Sequence, residues 1–417
     1  MQLTKLYPRC HRRFSSLPIL GPIVEGYAIW LFGKGYPRHR VRVHVRKTRV
    51  IDAALGRRGV LQLEEVTRAD LGACRPACSQ DDADLTGAVH SLIRFLDERV
   101  LLPLRAPPTR SAILVDTYAA FLRANRGLQN STVTQHSRTA AELLEHVGYE
   151  NEPARLSFIT PDDLDAFICA ISHRLTRESL QHEVAHVRAF TRFLAGEGLT
   201  PPGLDTQIDT PRVYRLERLP RGLPWKTVQD FLNSIERTTP LGQRDYTIFF
   251  LIATYGLRAS EIVDLRLDDI DWRRDTLRVA QRKTRSPLLL PLVDSVGNLL
   301  VDYLRDARPS SSFRHLFLRA RAPEGTLKPT AVTEAFQAWS KRSGLDIAFN
   351  GAHCLRHSYA IHLLRQGTPL KTIGDILGHR TAESTCVYLR LAIEDLREVA
   401  LSLPTSGAQQ RPLETQP

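Results

Sequence analysis

Apolar positions along the first half of the chain recur at helical spacing. Val115, Tyr118, Phe121 and Leu122 mark one face, and Val187, Phe190, Phe193 and Leu194 mark another. Between them, Thr160, Pro161 and Asp163 supply an N-cap, a proline at the first helical position and an acid in the first turn, which predicts a helix running through Ile171. Beyond residue 212 the pattern changes. Helices are expected at 225–236 and 244–255, the second apolar nearly all round from Tyr246 and therefore a core helix. A β-rich stretch at 276–293 then brackets a polar turn, and helical periodicity returns. The fold class expected is mainly α with a small antiparallel sheet, helical modules preceding an α+β segment.

Proline and glycine clusters at 103–109 and 201–211 predict linkers, and so three segments: 1–105, 106–205 and 212–404, with a loose tail at 405–417. The first two share a pattern. Trp30, Leu31, Gly35, Val41, His44, Thr67 and Asp70 are echoed by Phe121, Leu122, Gly127, Val133, His136, Thr160 and Asp163, at offsets of 91 to 93. Two related helical modules would produce this, as would chance likeness between amphipathic helices.

Charge sharpens the picture. Lys and Arg total 57 against 45 Asp and Glu, a net +12, which favours a polyanionic partner such as nucleic acid. Residues 1–110 hold 19 basic and 10 acidic side chains, a net +9 of that total, and only Asp52 opposes the nine basic residues of 34–58. Such a run is either a solvated face or a set of phosphate contacts.

Six cysteines at 10, 74, 78, 169, 354 and 386 form no disulfide framework and suggest reduced thiols in a cytoplasmic protein. Cys74, Cys78 and His90 match no standard zinc spacing. The apolar stretch 17–32 behind Lys5, Arg9, Arg12 and Arg13 imitates a signal peptide, but Pro18, Pro22 and Glu25 interrupt it, so an unexported, soluble chain is expected.

Chemistry concentrates in the third segment, at G-L-R-A-S-E (256–261), Q-R-K-T-R (281–285), H-C-L-R-H (353–357) and L-G-H followed nine residues later by Tyr388. In order and spacing these motifs resemble the tyrosine recombinase, or phage integrase, family. The likeness covers about 215–400 and, more loosely, 110–200, which resembles the family's helical (SAM-like) core-binding domain. It implies active-site positions Arg258, Lys283, His353, Arg356, His379 and Tyr388, with Tyr388 the nucleophile. It further implies a 3′-phosphotyrosyl intermediate, a homotetramer on two double-stranded DNA sites within the bacterial nucleoid, and companion recombinases or directionality factors. The sequence departs from the family at Cys354, often acidic or polar there, and in a turn at 282–286 without glycines.

A phosphodiester needs this set on chemical grounds as well. Attack on phosphorus gathers negative charge on the non-bridging oxygens, which two permanently charged, planar guanidiniums can bind. Arg258 and Arg356 suit that role without a metal. His353, three residues from Arg356 on one helix face, is the expected general base. Lys283 would protonate the leaving 5′-oxygen, and His379 would hydrogen-bond the phosphate. His357 and His362 match no motif position and are expected to be structural.

No nucleotide cofactor is implied, since neither G-x-x-x-x-G-K-[ST] nor a strand-borne G-x-G-x-x-G occurs. Asp268, Asp269, Asp271 and Asp275 could be imagined as two-metal ligands, but read better as a turn. A type IB topoisomerase-like relaxing enzyme and a non-catalytic DNA-binding regulator remain as alternatives. A long chain with an extra basic module favours a mobile element.

Overall fold

The computed structural model describes residues 2–76, 82–102, 108–212, 221–281, 287–379, 381 and 383–391. Lys283, Cys78, the turn at 282–286, most of the 103–109 linker and the tail at 405–417 lie outside the described residues. The chain divides into two compact units, Met1–Leu102 with Arg218–Pro417, and Pro103–Glu217.

The first unit begins with α1 (Gln2–Leu6), α2 (Arg12–Ser15), α3 (Gly21–Gly33), α4 (Arg38–Arg57), α5 (Arg68–Ala73) and α6 (Ala83–Glu98). The signal-peptide imitation becomes α3, with Pro22 in its first turn and Val24, Tyr27, Ala28 and Leu31 buried. Among the described residues no helix is long and apolar enough to cross a membrane. A backbone hydrogen bond from the Glu324 amide to the Lys34 carbonyl, at 3.2 Å, ties this module to the later part of the same unit.

The second unit holds α7 (Arg110–Arg126), α8 (Asn130–His146), α9 (Pro161–Ser172) and α10 (Arg177–Gly196). Each module is organised the same way inside. Tyr27 meets the Nδ1 of His44 at 3.4 Å in the first, and Tyr118 meets the Nδ1 of His136 at 3.0 Å in the second. Thr67 with Asp70, and Thr160 with Asp163, form reciprocal capping boxes at the starts of α5 and α9. Gly35 and Gly127 both take positive φ, +80° and +58°, where a side chain would be strained. The tyrosines also pack on matching rings of the last helix, Phe95 at 5.5 Å and Phe190 at 4.9 Å.

The expected linker at 201–211 is instead part of the second unit. Leu204 and Ile208 are buried in its core, and Asp205 pairs with Arg192 at 2.9 Å. Two apolar side chains one helical turn apart outweigh the loop signal of the prolines before them.

The remainder of the first unit contains α11 (Trp225–Asn233), α12 (Pro240–Tyr255) and α13 (Ala259–Asp264). A three-stranded antiparallel sheet follows, β1 (Ile270–Asp271), β2 (Thr276–Ala280) and β3 (Pro287–Pro291). Then come α14 (Asp294–Asp302), α15 (Pro329–Ser343), α16 (His353–Arg365), α17 (Leu370–Leu377) and α18 (Glu383–Cys386), and a 3₁₀ turn at Val387–Leu391. α12 lies in the core, with Ile248, Phe249, Leu251 and Ile252 buried. Strand alternation seats Leu277, Val279 and Leu290 on that core.

A buried ionic pair, Arg244 to Asp245 at 2.6 Å, is completed by Trp339 donating to the other carboxylate oxygen at 3.0 Å. The aspartates 268–275 serve local structure: Asp268 pairs with Arg314, Asp269 with Arg278, and Asp271 accepts from the amides of Arg273 and Arg274.

Candidate active site

Three chain turns and one helix, α16, build the site. α12 ends at Gly256, whose φ of +65° and close neighbours, Leu377 at 2.6 Å and the Tyr359 ring at 2.8 Å from any added Cβ, exclude a side chain. That tight stop delivers Arg258 as the residue preceding α13. Its amide and guanidinium both bond Glu261, at 2.8 and 2.7 Å, and Glu261 is itself buried.

Arg356 comes from α16 and is 2% exposed. Its Nη1 donates to the Gly256 carbonyl at 2.5 Å and its Nη2 to the Leu377 carbonyl at 2.6 Å, so it bridges the C-terminal ends of α12 and α17. Glu261 stands 3.9 Å away and is thus shared by both arginines. Burial, with Arg258 nearby, pulls the Arg356 guanidinium down to about 10, which leaves it charged at neutral pH.

α17 stops at Gly378, in the left-handed region at φ +60° as its motif predicts. The chain then turns through His379, whose Nδ1 lies 2.8 Å from the Thr385 hydroxyl. Thr385 is buried against Gly374, where a Cβ would meet its hydroxyl at 3.0 Å. This fixes α18 over α17 and directs Tyr388 inward. α18 spans four residues, and Tyr388 sits on the 3₁₀ turn behind it.

Tyr388 is 2% exposed and packs with Ile361, Ile373 and Leu377. Burial raises its phenol above the usual value, opposed by the fields of Arg356 and Arg258. The His379 ring lies roughly parallel to it, centroids 6.3 Å apart. Burial and the same two arginines push His379 down to about 4, so it is neutral at pH 7.

The residue that sequence reading missed is His357. Its Nδ1 is 3.0 Å from the Tyr388 hydroxyl, and its ring meets His353 edge-on at 4.5 Å. Burial first, then the charges of His353, Arg356 and Arg221, push it down to about 4. His357, expected to be structural, thus makes a direct contact with the Tyr388 hydroxyl. The available signal was its place four residues after the motif histidine, on the same helical face. His362 does pack structurally, stacked on Trp225 at 4.0 Å. Cys354 is buried, its thiol pushed up to about 12, and so inert.

Arg258, Arg356, His379 and Tyr388 thus converge, with His353 joined to them through His357. His353 itself is exposed. Gln281, two residues before Lys283, is buried beside Gly378, where an added Cβ would come within 2.1 Å of its amide.

Comparison with known proteins gives a consistent answer. The profile of the phage integrase family matches residues 222–394, and that of the phage integrase N-terminal SAM-like domain matches residues 115–198. The integrase/recombinase y4rF of Sinorhizobium fredii is 30% identical across 93% of this chain and 92% of its own. Tyrosine recombinase XerD of Listeria monocytogenes is 26% identical over 69% of this chain and 96% of its own. In fold, a lambda integrase tetramer bound to a Holliday junction aligns with a TM-score of 0.52 at 17% identity, over 72% of this chain and 88% of that one. With these matches running through the residues that surround Tyr388, the chain belongs to the tyrosine recombinase, or phage integrase, family.

Proposed function

We propose that this chain is a site-specific recombinase in which Tyr388 attacks a DNA phosphodiester, forms a 3′-phosphotyrosyl link and frees a 5′-hydroxyl. The observation that carries the reading is the tyrosine hydroxyl held against an imidazole within the field of two arginines that share one carboxylate. Arg258 and Arg356 bind the non-bridging oxygens, His379 and the exposed His353 hydrogen-bond the phosphate, and Lys283 protonates the leaving oxygen. One phosphodiester is exchanged for another of similar energy, so the step itself consumes no nucleotide.

The working assembly is a homotetramer pairing two duplex sites, a reading supported by the fold likeness to a lambda integrase tetramer bound to a Holliday junction. A two-site test decides between this and simple relaxation. Nicked duplexes tiled from the DNA flanking the gene are screened for detergent-resistant adducts, and the reactive duplex is then placed twice in one plasmid. Exchange between the copies is expected. Adducts with relaxation but no exchange would favour a topoisomerase-like enzyme, and no adduct on any duplex a binding regulator.

The N-terminal module is a second copy of the 108–212 module and grips the same DNA. The paired Tyr–His contacts, capping boxes and left-handed glycines support this. On α4, Arg42, Arg46 and Arg49 lie at i, i+4 and i+7, all exposed, forming one basic stripe. Replacing all three by Gln is expected to weaken duplex binding irrespective of sequence. The slope of log affinity against log salt should fall by about 2 to 3, near 0.9 per lost phosphate contact, in a filter-binding titration.

A further inference from the structure

In the proposed reaction the Tyr388 proton must leave the phenol as its oxygen approaches phosphorus, and the acceptor must stand within hydrogen-bond reach of that oxygen. His357 occupies that place. Its Nδ1 lies 3.0 Å from the hydroxyl, on a rigid helix, half-buried, and its ring is braced edge-on by His353. Resting on the reading of the site as a recombinase centre, we infer that His357 is the general base that takes the Tyr388 proton, leaving the exposed His353 to the phosphate.

The balance is complete within the site. The Oη–P bond forms, the P–O5′ bond breaks, the phenol proton passes to Nδ1 of His357, and the 5′-oxygen receives a separate proton from the leaving-group acid. Religation runs the same steps in reverse, with the imidazolium returning its proton to Tyr388.

The surroundings make the base conditional on substrate. His353 and Arg356 from α16, Arg221 from the segment before α11, Arg258 before α13 and His379 after α17 all bear on this pocket, and Glu261 is the buried acid among them. Burial first, and then the neighbouring cations, keep His357 a weak base, and burial keeps Tyr388 a weak acid, so the proton stays on the phenol. A phosphodiester monoanion lodged between Arg258 and Arg356 offsets their field. That strengthens His357 when, and only when, there is something to attack.

The test uses the full chain on the reactive nicked duplex, following single-turnover adduct formation between about pH 5 and pH 9. The parent protein should be nearly flat above about pH 6, where His357, lowered by burial and partly restored by the bound phosphodiester, is neutral, and should slow progressively as pH falls toward about 5. His357→Gln should bind the duplex normally and form adduct about 100-fold more slowly, with a rate that climbs through pH 9 as the phenol itself ionises. A substrate with sulfur in place of the 5′-bridging oxygen, which needs no proton to leave, should rescue Lys283→Ala and leave His357→Gln slow. As a control independent of folding, 3,5-difluorotyrosine at position 388 acidifies the phenol and should restore most of the rate to His357→Ala. Failure of the parent to form adduct would reject the recombinase reading itself. A His357→Gln rate within threefold of the parent, a flat profile for that variant, or its rescue by the sulfur substrate would each overturn the role given to His357.

Discussion

Tyr388→Phe is expected to bind duplex DNA as the parent does and to yield no covalent adduct at any time or pH. The hydroxyl is the only atom removed, and it is the one placed 3.0 Å from His357. The ring continues to fill the pocket formed by Ile361, Ile373 and Leu377, so the fold should survive. Losing one buried hydrogen bond lowers stability by about 0.5–1.5 kcal/mol, against a complete loss of strand cleavage. Denaturing gel analysis with end-labelled nicked duplex, alongside a urea melt, separates these effects. Adduct in this variant would mean that another residue is the nucleophile.

Arg356→Ala should be the second most damaging change, because it fails twice. Removing a guanidinium that stabilises the transition-state phosphate costs on the order of 100- to 1000-fold in rate. It also leaves the carbonyls of Gly256 and Leu377 without their donor inside the protein, at about 1–3 kcal/mol for each group stranded. Arg258→Ala is the useful contrast: its side chain is 23% exposed and bonds only Glu261 among the described groups, so activity should fall with a smaller shift in the melt. Adduct rate and urea midpoint measured together on both variants check this. If Arg356→Ala melts like the parent, the bridge between α12 and α17 is not structural.

What could be read from sequence, and what could not, divides on physical lines. Arg258, Arg356, His379 and Tyr388 were named from the order and spacing of their motifs in a resemblance to the tyrosine recombinase family, and the left-handed Gly256 and Gly378 fix the corners beside Arg258 and His379. The core helix and the small sheet followed from periodicity alone. His357 was not read correctly, since its place one helical turn after His353 shows that the two share a face and not what that face meets across the fold. Its partner lies 31 residues away. The same holds for Glu261, which looks like half of a surface ion pair and is instead a buried anion serving two arginines. The 201–211 segment misled in the opposite direction: its prolines advertise a loop, while the burial of Leu204 and Ile208 depends on neighbours that sequence does not display.

Gly378 has one further consequence. The bare backbone there lies against the amide of Gln281, so the corner that sends the chain toward Tyr388 rests on the residue that follows β2. In the proposed reaction, phenol attack and protonation of the leaving oxygen would lean on this one packed contact, so a larger side chain at Gly378 would disturb both the corner before Tyr388 and the end of β2.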